Sequence, residues 1–267
     1  MADAFETQLT IFLEELNRIQ GLTELLDGLR EFGRITPPYA SSDSDFIVKV
    51  RNLKQDIRER HTSFPVLSAT LVLYLVGRFE KFARSNFEIV CDSIAGKCAK
   101  FENLPERMRK ELKKCTADVI SNYSRYGFED YEVHILISRL SNNLLAVNGL
   151  GEINSNCLSL THENMRPRAL ADLYQRSGLS EIWIKIGNQA VMQDYFDSKI
   201  GGSVQKHAMA LLENIINERN GIAHPTPDIT FPGTDKVKRY AEFLEVLSIA
   251  LVEISRQYVS DFTPIVN

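Results

Sequence analysis

Arg219 and His224 are the residues of this 267-residue chain whose types and spacing best suit chemistry. They sit in Asn217-Glu218-Arg219-Asn220-Gly221-Ile222-Ala223-His224-Pro225, just ahead of a proline-rich turn. An imidazole, with an ordinary pKa near about 6.5, accepts or donates a proton around neutral pH. A guanidinium keeps its charge and presents a planar fork that matches two oxygens of a phosphate. Asn220, between them, can hold either group by hydrogen bonding or bond a ligand itself. The same residues also fit a plain structural arrangement, with Arg219 paired to a core carboxylate and His224 at a helix C-terminus, where a cation is favoured.

The element that must position them is an amphipathic helix. From Ser203, a plausible N-cap freed by Gly201-Gly202, the apolar residues Val204, Ala208, Leu211, Leu212, Ile215, Ile216 and Ala223 recur mostly at three- and four-residue steps. Counting on by four from Ile215 reaches Arg219, so its guanidinium starts from the core-facing side or its edge. There it needs an anionic partner, or its burial costs roughly several kcal/mol. Five positions separate Arg219 from His224, which on an ideal helix is about 140° of rotation. The pair therefore cannot point the same way within one regular helix. Either Gly221 and Pro225 loosen the helix end, or the pair converges with a second copy across a dimer axis.

Arg219, the polar Asn220, the apolar Ile222-Ala223 and then His224, on a hydrophobic helix of a chain that reads as all-helical, resemble the signature of the HEPN superfamily. In that signature an arginine, usually followed by a polar residue, precedes a histidine by four to six intervening positions. Members similar to this chain are mostly metal-independent endoribonucleases of toxin or antiviral defence systems, dimerising so that two motifs face one RNA strand. The resemblance implies attack by the 2′-hydroxyl of RNA on the neighbouring phosphate, with His224 moving the proton, Arg219 stabilising the charge and Asn220 positioning them. It also implies products ending in a 2′,3′-cyclic phosphate, no cofactor, no metal, RNA as partner, a homodimer, and an antitoxin or regulatory protein. Related families often carry an acidic residue on an early helix near the motif, and by that resemblance Glu80 positions Arg219; the alternative is a surface pair with Arg84 or another nearby cation. The passage His162-Glu163-Asn164-Met165-Arg166-Pro167, leading to Ala169-Leu170, Leu173-Tyr174 and Gly178-Leu179, is also similar to stand-alone bacterial members. It widens the resemblance to about Leu67 through Val259. One departure is Thr226, where toxins paired with nucleotidyltransferase antitoxins carry a tyrosine two positions past the histidine. Neutralisation by modification at that position is not expected.

Composition is that of an ordinary globular protein, its 44% hydrophobic content enough for a sizeable core. A net charge of -4 gives no overall basic field, so any RNA contact must be local. Arg107, Arg109, Lys110, Lys113 and Lys114 form the densest basic cluster and the expected track for an RNA backbone, although Glu106 and Glu111 are interspersed, as on a solvated helix face. Tyr123, Tyr126, Phe128 and Tyr131 follow it and could stack on bases or simply pack. The cysteines Cys91, Cys98, Cys115 and Cys157 have no CxxC spacing, and their scatter fits a reducing cytoplasm. Neither terminus carries a targeting signal, and the most apolar run, Val66 to Gly77, is shorter than the roughly 20 residues of a membrane helix. A buried core helix, a cytoplasmic location and no membrane contact are expected.

The rest of the chain predicts an all-α, HEPN-like helical bundle with two parts. Residues 1–40 are expected as an N-terminal helical appendage, its seam of Phe5, Leu9, Phe12, Leu16 and Ile19 interrupted at Gly21 and lying on the core or on a second copy. A turn-rich linker, Thr36 to Asp45, separates it from the helical domain at 46–262. Within that domain the patterns predict a short helix with Phe46, Val50, Leu53 and Ile57 inward, and a core helix from Pro65 to about Cys98. A helix over Tyr131–Leu145 buries Val133, Leu136, Leu140 and Leu144. A final helix capped by Thr234 or Asp235 packs antiparallel on the motif helix.

Overall fold

The computed structural model describes residues 3–36, 45–145, 149–161, 163–225 and 230–264, and there the chain is all-α, with eleven α-helices and no strand. Its axis is α3 (Phe64–Gly96), opened by Pro65 in the first turn, where a missing N–H breaks no helical bond. Val72, Leu75, Val76, Phe79, Ala83, Phe87, Val90, Cys91 and Ile94 are completely buried along it. With the turn before it, His61–Gly96 is long and apolar enough to cross a membrane by length and composition. In the fold the buried side of that helix is the centre of the core, packed by α1 (Ala4–Arg34), α10 (Gly201–Ala223) and α11 (Thr234–Asp261), while Val66, Leu67 and Tyr74 in its first half stay exposed.

The stretch expected as an appendage is a layer of that core. Helix α1 runs unbroken through Gly21, and Phe5, Leu9, Phe12, Leu16 and Ile19 belong to the same apolar cluster as α3 and α11. Phe12 stacks on Phe82 with ring centroids 5.0 Å apart. Buried Glu15 accepts hydrogen bonds from Tyr74 Oη (2.5 Å) and Arg78 Nη2 (2.8 Å), which ties the two helices by charge as well. The linker between α1 and α2 lies outside the described residues except at its ends.

Helix α2 (Asp45–Glu59) is oriented differently from its apolar pattern. Of the expected inner stripe only Ile57 is buried; Phe46 is 72% exposed, and Lys54, expected outward, is covered with its Nζ 5.8 Å from the centre of the Phe32 ring. The cause is that α2 packs only on the end of α1 and the turn leading into α3, where a lysine stem and an aromatic face supply part of the contact. Gly33 permits the approach, since a Cβ there would lie 2.7 Å from Ile57 Cγ2.

Two further expectations are corrected. Helix α11 has Gly233 at its N-cap position and lies principally against α1 and α3, so it is not the antiparallel mate of α10. Helix α5 (Asp130–Leu145) buries Val133 and Leu136, while Leu144 is exposed; its second half is held by the buried Asn143, whose amide bonds Gly151 N and Glu152 O, both at 2.8 Å. An amide that satisfies loop backbone replaces the apolar contact.

Candidate active site

Helix α10 starts at Gly201 with Ile200 at its N-cap position, three residues ahead of the expected Ser203 cap, and α8 (Ile182–Gly187) meets its first turn at very close range. A Cβ on Gly187 would come within 2.4 Å of the Gly201 carbonyl oxygen, so a side chain there is incompatible with this crossing. The buried face is the expected one, with Val204, Ala208, Leu212, Ile215 and Ile216 inside, Leu211 half-buried and Ala223 exposed. That face fixes the rotation of the helix and therefore the direction in which its last turn presents Arg219.

The helix stays regular to Ala223. His224, at the C-cap, still donates its backbone N–H to Asn220 O at 3.0 Å and then leaves helical geometry (φ -128°, ψ 69°). Gly221 therefore does not loosen the end, and the side chains of Arg219 and His224 within one chain start about 140° apart around the axis. Arg219 is half-buried and pairs with no carboxylate among the described residues; its Nη1 donates to Asn220 Oδ1 at 3.1 Å. Asn164 Nδ2 donates to the same oxygen at 2.7 Å. The His224 ring is exposed and makes no bond to a described residue. A guanidinium steadied by a neutral amide keeps its full charge for a ligand, which a carboxylate partner would cancel.

Three consecutive residues outside the motif build this arrangement. Asn164 bonds Asn220, the Met165 N–H donates to Glu80 Oε1 at 2.9 Å, and Arg166 forms an ion pair with Glu213, one helical turn and a half before Arg219. Met165, completely buried, is the apolar pin of the segment. Glu80 thus bonds neither Arg219 nor Arg84: its oxygen receives a backbone N–H that the loop cannot satisfy within itself, and it reaches the motif through Asn164. On the other side of the helix Glu218 takes Lys236 at 2.7 Å and the Tyr240 hydroxyl, fastening α10 to the first turns of α11. Burial, and then the Glu218 carboxylate, push the Tyr240 hydroxyl well above the usual tyrosine range, so it stays a donor.

The basic cluster is not brought to the motif. All five residues lie on α4 (Glu106–Ser121), which packs on α5 and α6 (Ser155–Ser159), whereas α10 packs on α3 and α8. Arg107, Lys113 and Lys114 are exposed, Lys110 is paired with Glu106 at 2.5 Å, and Arg109 is half-buried with its Nε covered. Tyr123, Tyr126 and Phe128 are half-buried in the turn after α4, with Tyr126 Oη bonding Asp118, and Tyr131 is exposed. His162 and Thr226 lie outside the described residues.

Among the residues that sequence reasoning missed, Asn164 matters most. Its signal was weak: one asparagine in a polar loop, within the passage that resembles stand-alone bacterial members but with no role of its own indicated, ahead of the apolar Met165 and the helix-opening Pro167.

A family model, RiboL-PSP-HEPN, matches residues 44–257, from the start of α2 nearly to the end of α11 and across the whole motif. The chain belongs to the HEPN superfamily. Membership carries a ribonuclease-type, RNA-related function as the coarse assignment for this HEPN chain. No curated protein and no solved structure matches it. Helix α1 precedes the matched stretch even though its side chains complete the HEPN core.

Proposed function

We propose that this HEPN protein is a metal-independent endoribonuclease of toxin or antiviral type, working as a homodimer in which Arg219 and His224 of both copies face one RNA strand. The observation that carries the reading is the end of α10: a guanidinium held by amides alone, five positions before an exposed, unbonded imidazole at a helix terminus. Regularity of α10 through Ala223 supports the second copy, because it keeps the two side chains of one chain on different faces.

In the reaction, the 2′-oxygen forms a bond to phosphorus as the bond to the 5′-oxygen breaks. One imidazole takes the 2′-hydroxyl proton, and the leaving 5′-oxygen gains a proton, from the other imidazole or from water. Negative charge building on the phosphate oxygens is met by Arg219, whose fork is held in place before the substrate arrives. The products are a 2′,3′-cyclic phosphate and a 5′-hydroxyl. Asn220 and Asn164 position the guanidinium, and Glu80 positions Asn164 through the Met165 backbone. Helix α4, with Arg107, Arg109, Lys110, Lys113 and Lys114, serves as a salt-sensitive backbone track for the parts of the RNA beyond the cleavage point.

The reading is tested by incubating wild type and Arg219→Ala with a mixed tRNA and messenger RNA substrate in EDTA and analysing the product ends. Cutting by wild type alone, with cyclic phosphate ends, is expected. Cutting lost in EDTA and restored by a divalent metal would contradict the mechanism. No cutting in either buffer, with equal RNA binding by both proteins, would favour a catalytically silent HEPN module that binds RNA, a nucleotide or a partner protein.

A further inference from the structure

The end of α1, α2 and the turn His61–Ser63 enclose a cavity of about 420 Å³ well away from the motif. Arg30, Arg34, Arg58 and His61 line it over a floor of Ile57 and Phe64, and no carboxylate lines it among the described residues. Among the described residues, two of these arginines, Arg34 and Arg58, have no ionic partner, and both are exposed. Arg34 makes no bond to a described residue, and Arg58 spends only its Nε, on the Gly33 carbonyl at 3.0 Å, so both of its terminal nitrogens remain. Arg30 meets Asp27 at 3.6 Å from outside the lining and lies 5.6 Å from the centre of the Phe64 ring. The His61 Nδ1 is engaged with Arg58 O at 2.8 Å, leaving Nε2.

Arg34 and Arg58, exposed on two separate helices, face one hollow together with Arg30 and His61 and with no carboxylate among its described lining, an arrangement whose mutual repulsion an anion relieves. The space exceeds that of a bare phosphate and falls in the usual range for small-molecule sites, with Ile57 and Phe64 offering apolar contact to a ring. We infer that this cavity binds a nucleoside phosphate, with the phosphates on Arg34, Arg58 and His61 and the base or sugar over Ile57 and Phe64. Helix α1 supplies half of the cations, so the site depends on a segment that precedes the matched family residues.

Calorimetric titration of the full chain with ATP, AMP and pyrophosphate tests the assignment, using Arg34→Gln, Arg58→Gln and His224→Ala in parallel. Saturable binding of ATP or AMP is expected, tighter than that of pyrophosphate, weakened at least tenfold in each arginine variant and unchanged in His224→Ala. Arg34 holds nothing in the fold, so Arg34→Gln reads ligand contact without a folding defect, as an unchanged melting temperature will show. The inference is overturned by absence of saturable nucleotide binding up to millimolar concentration, or by binding that survives both arginine substitutions. Pyrophosphate binding as tight as that of ATP, or binding restricted to an RNA oligonucleotide, would overturn it equally. Because His224 lies outside the cavity, failure here leaves the ribonuclease reading intact, and the reverse also holds.

Discussion

Two asparagine-centred networks in this molecule are built from similar groups and left in opposite states. Asn86 on α3 is completely buried; its amide nitrogen donates to Tyr174 Oη at 2.6 Å and Ser255 Oγ at 2.8 Å, knitting α3 to α7 (Pro167–Gln175) and α11. Asn220 on α10 is half-exposed; its oxygen takes Arg219 and Asn164, and beside it a guanidinium with further N–H groups and a whole imidazole remain unengaged. In the first network both amide N–H groups are consumed by the fold, and the buried amide oxygen has no partner among the described residues. In the second the fold spends only enough bonds to aim the charged group. Hydrogen-bonding capacity left over at a surface, close in sequence to an exposed imidazole, is what a site for chemistry requires.

Several substitutions can break or sharpen that contrast, the first being the most disruptive. Phe12→Ala removes the ring stacked on Phe82 and is expected to lower stability by about 3–5 kcal/mol, measured by urea unfolding, showing that α1 is core although it precedes the family match. A smaller loss, about 2 kcal/mol, is expected for Asn86→Ala, which removes the amide partner of the buried Tyr174 and Ser255 hydroxyls. Chemical denaturation of that variant, set beside its cleavage rate per folded molecule, separates stability from function: the rate stays at the wild-type value. Asn164→Ala is the converse. Its network faces solvent, so the expected stability change is below about 1 kcal/mol, while cleavage falls roughly tenfold as Arg219 loses its aim.

The smallest effect is that of Glu15→Gln, about 1 kcal/mol at pH 7. The Tyr74 hydroxyl, helped by Arg78 and opposed by burial, holds the Glu15 carboxyl below the usual glutamate range. A carboxyl depressed in the folded state contributes stability that is fully present above its unfolded pKa, about 4.3, and is lost as pH falls through the lower folded value. The gap between wild type and Glu15→Gln is therefore expected to be constant at neutral pH and to close below about pH 4. A gap that widened in acid would contradict the assignment of the carboxylate as the stabilising form.

What the sequence discloses follows the same contrast. Helical periodicity reveals which face of α10 and α3 is buried, because the apolar positions Val204, Ala208, Leu212, Ile215 and Ile216 repeat at the spacing of the turn. It is silent about the neighbour that covers the face. That is why α11 is expected on α10 and lies on α1 and α3, and why α2 buries Lys54 and exposes Phe46. Arg219, Asn220 and His224 are legible together because they share one segment. Asn164 is not, since it meets Asn220 across 56 positions of chain, through a loop with no periodicity. The same limit hides the cavity between α1 and α2, whose cations come from two helices that no pattern relates.

The central claim is that the end of α10 is given over to chemistry and contributes little to holding the fold together. It is tested most directly by measuring, on the same preparations of wild type and His224→Ala, the rate of RNA cleavage in EDTA and the free energy of unfolding. The account predicts a loss of cleavage of about 10²–10⁴-fold with a stability change within about 0.5 kcal/mol. Cleavage at the wild-type rate by His224→Ala, or a loss of activity that only tracks a loss of folded protein, would contradict it.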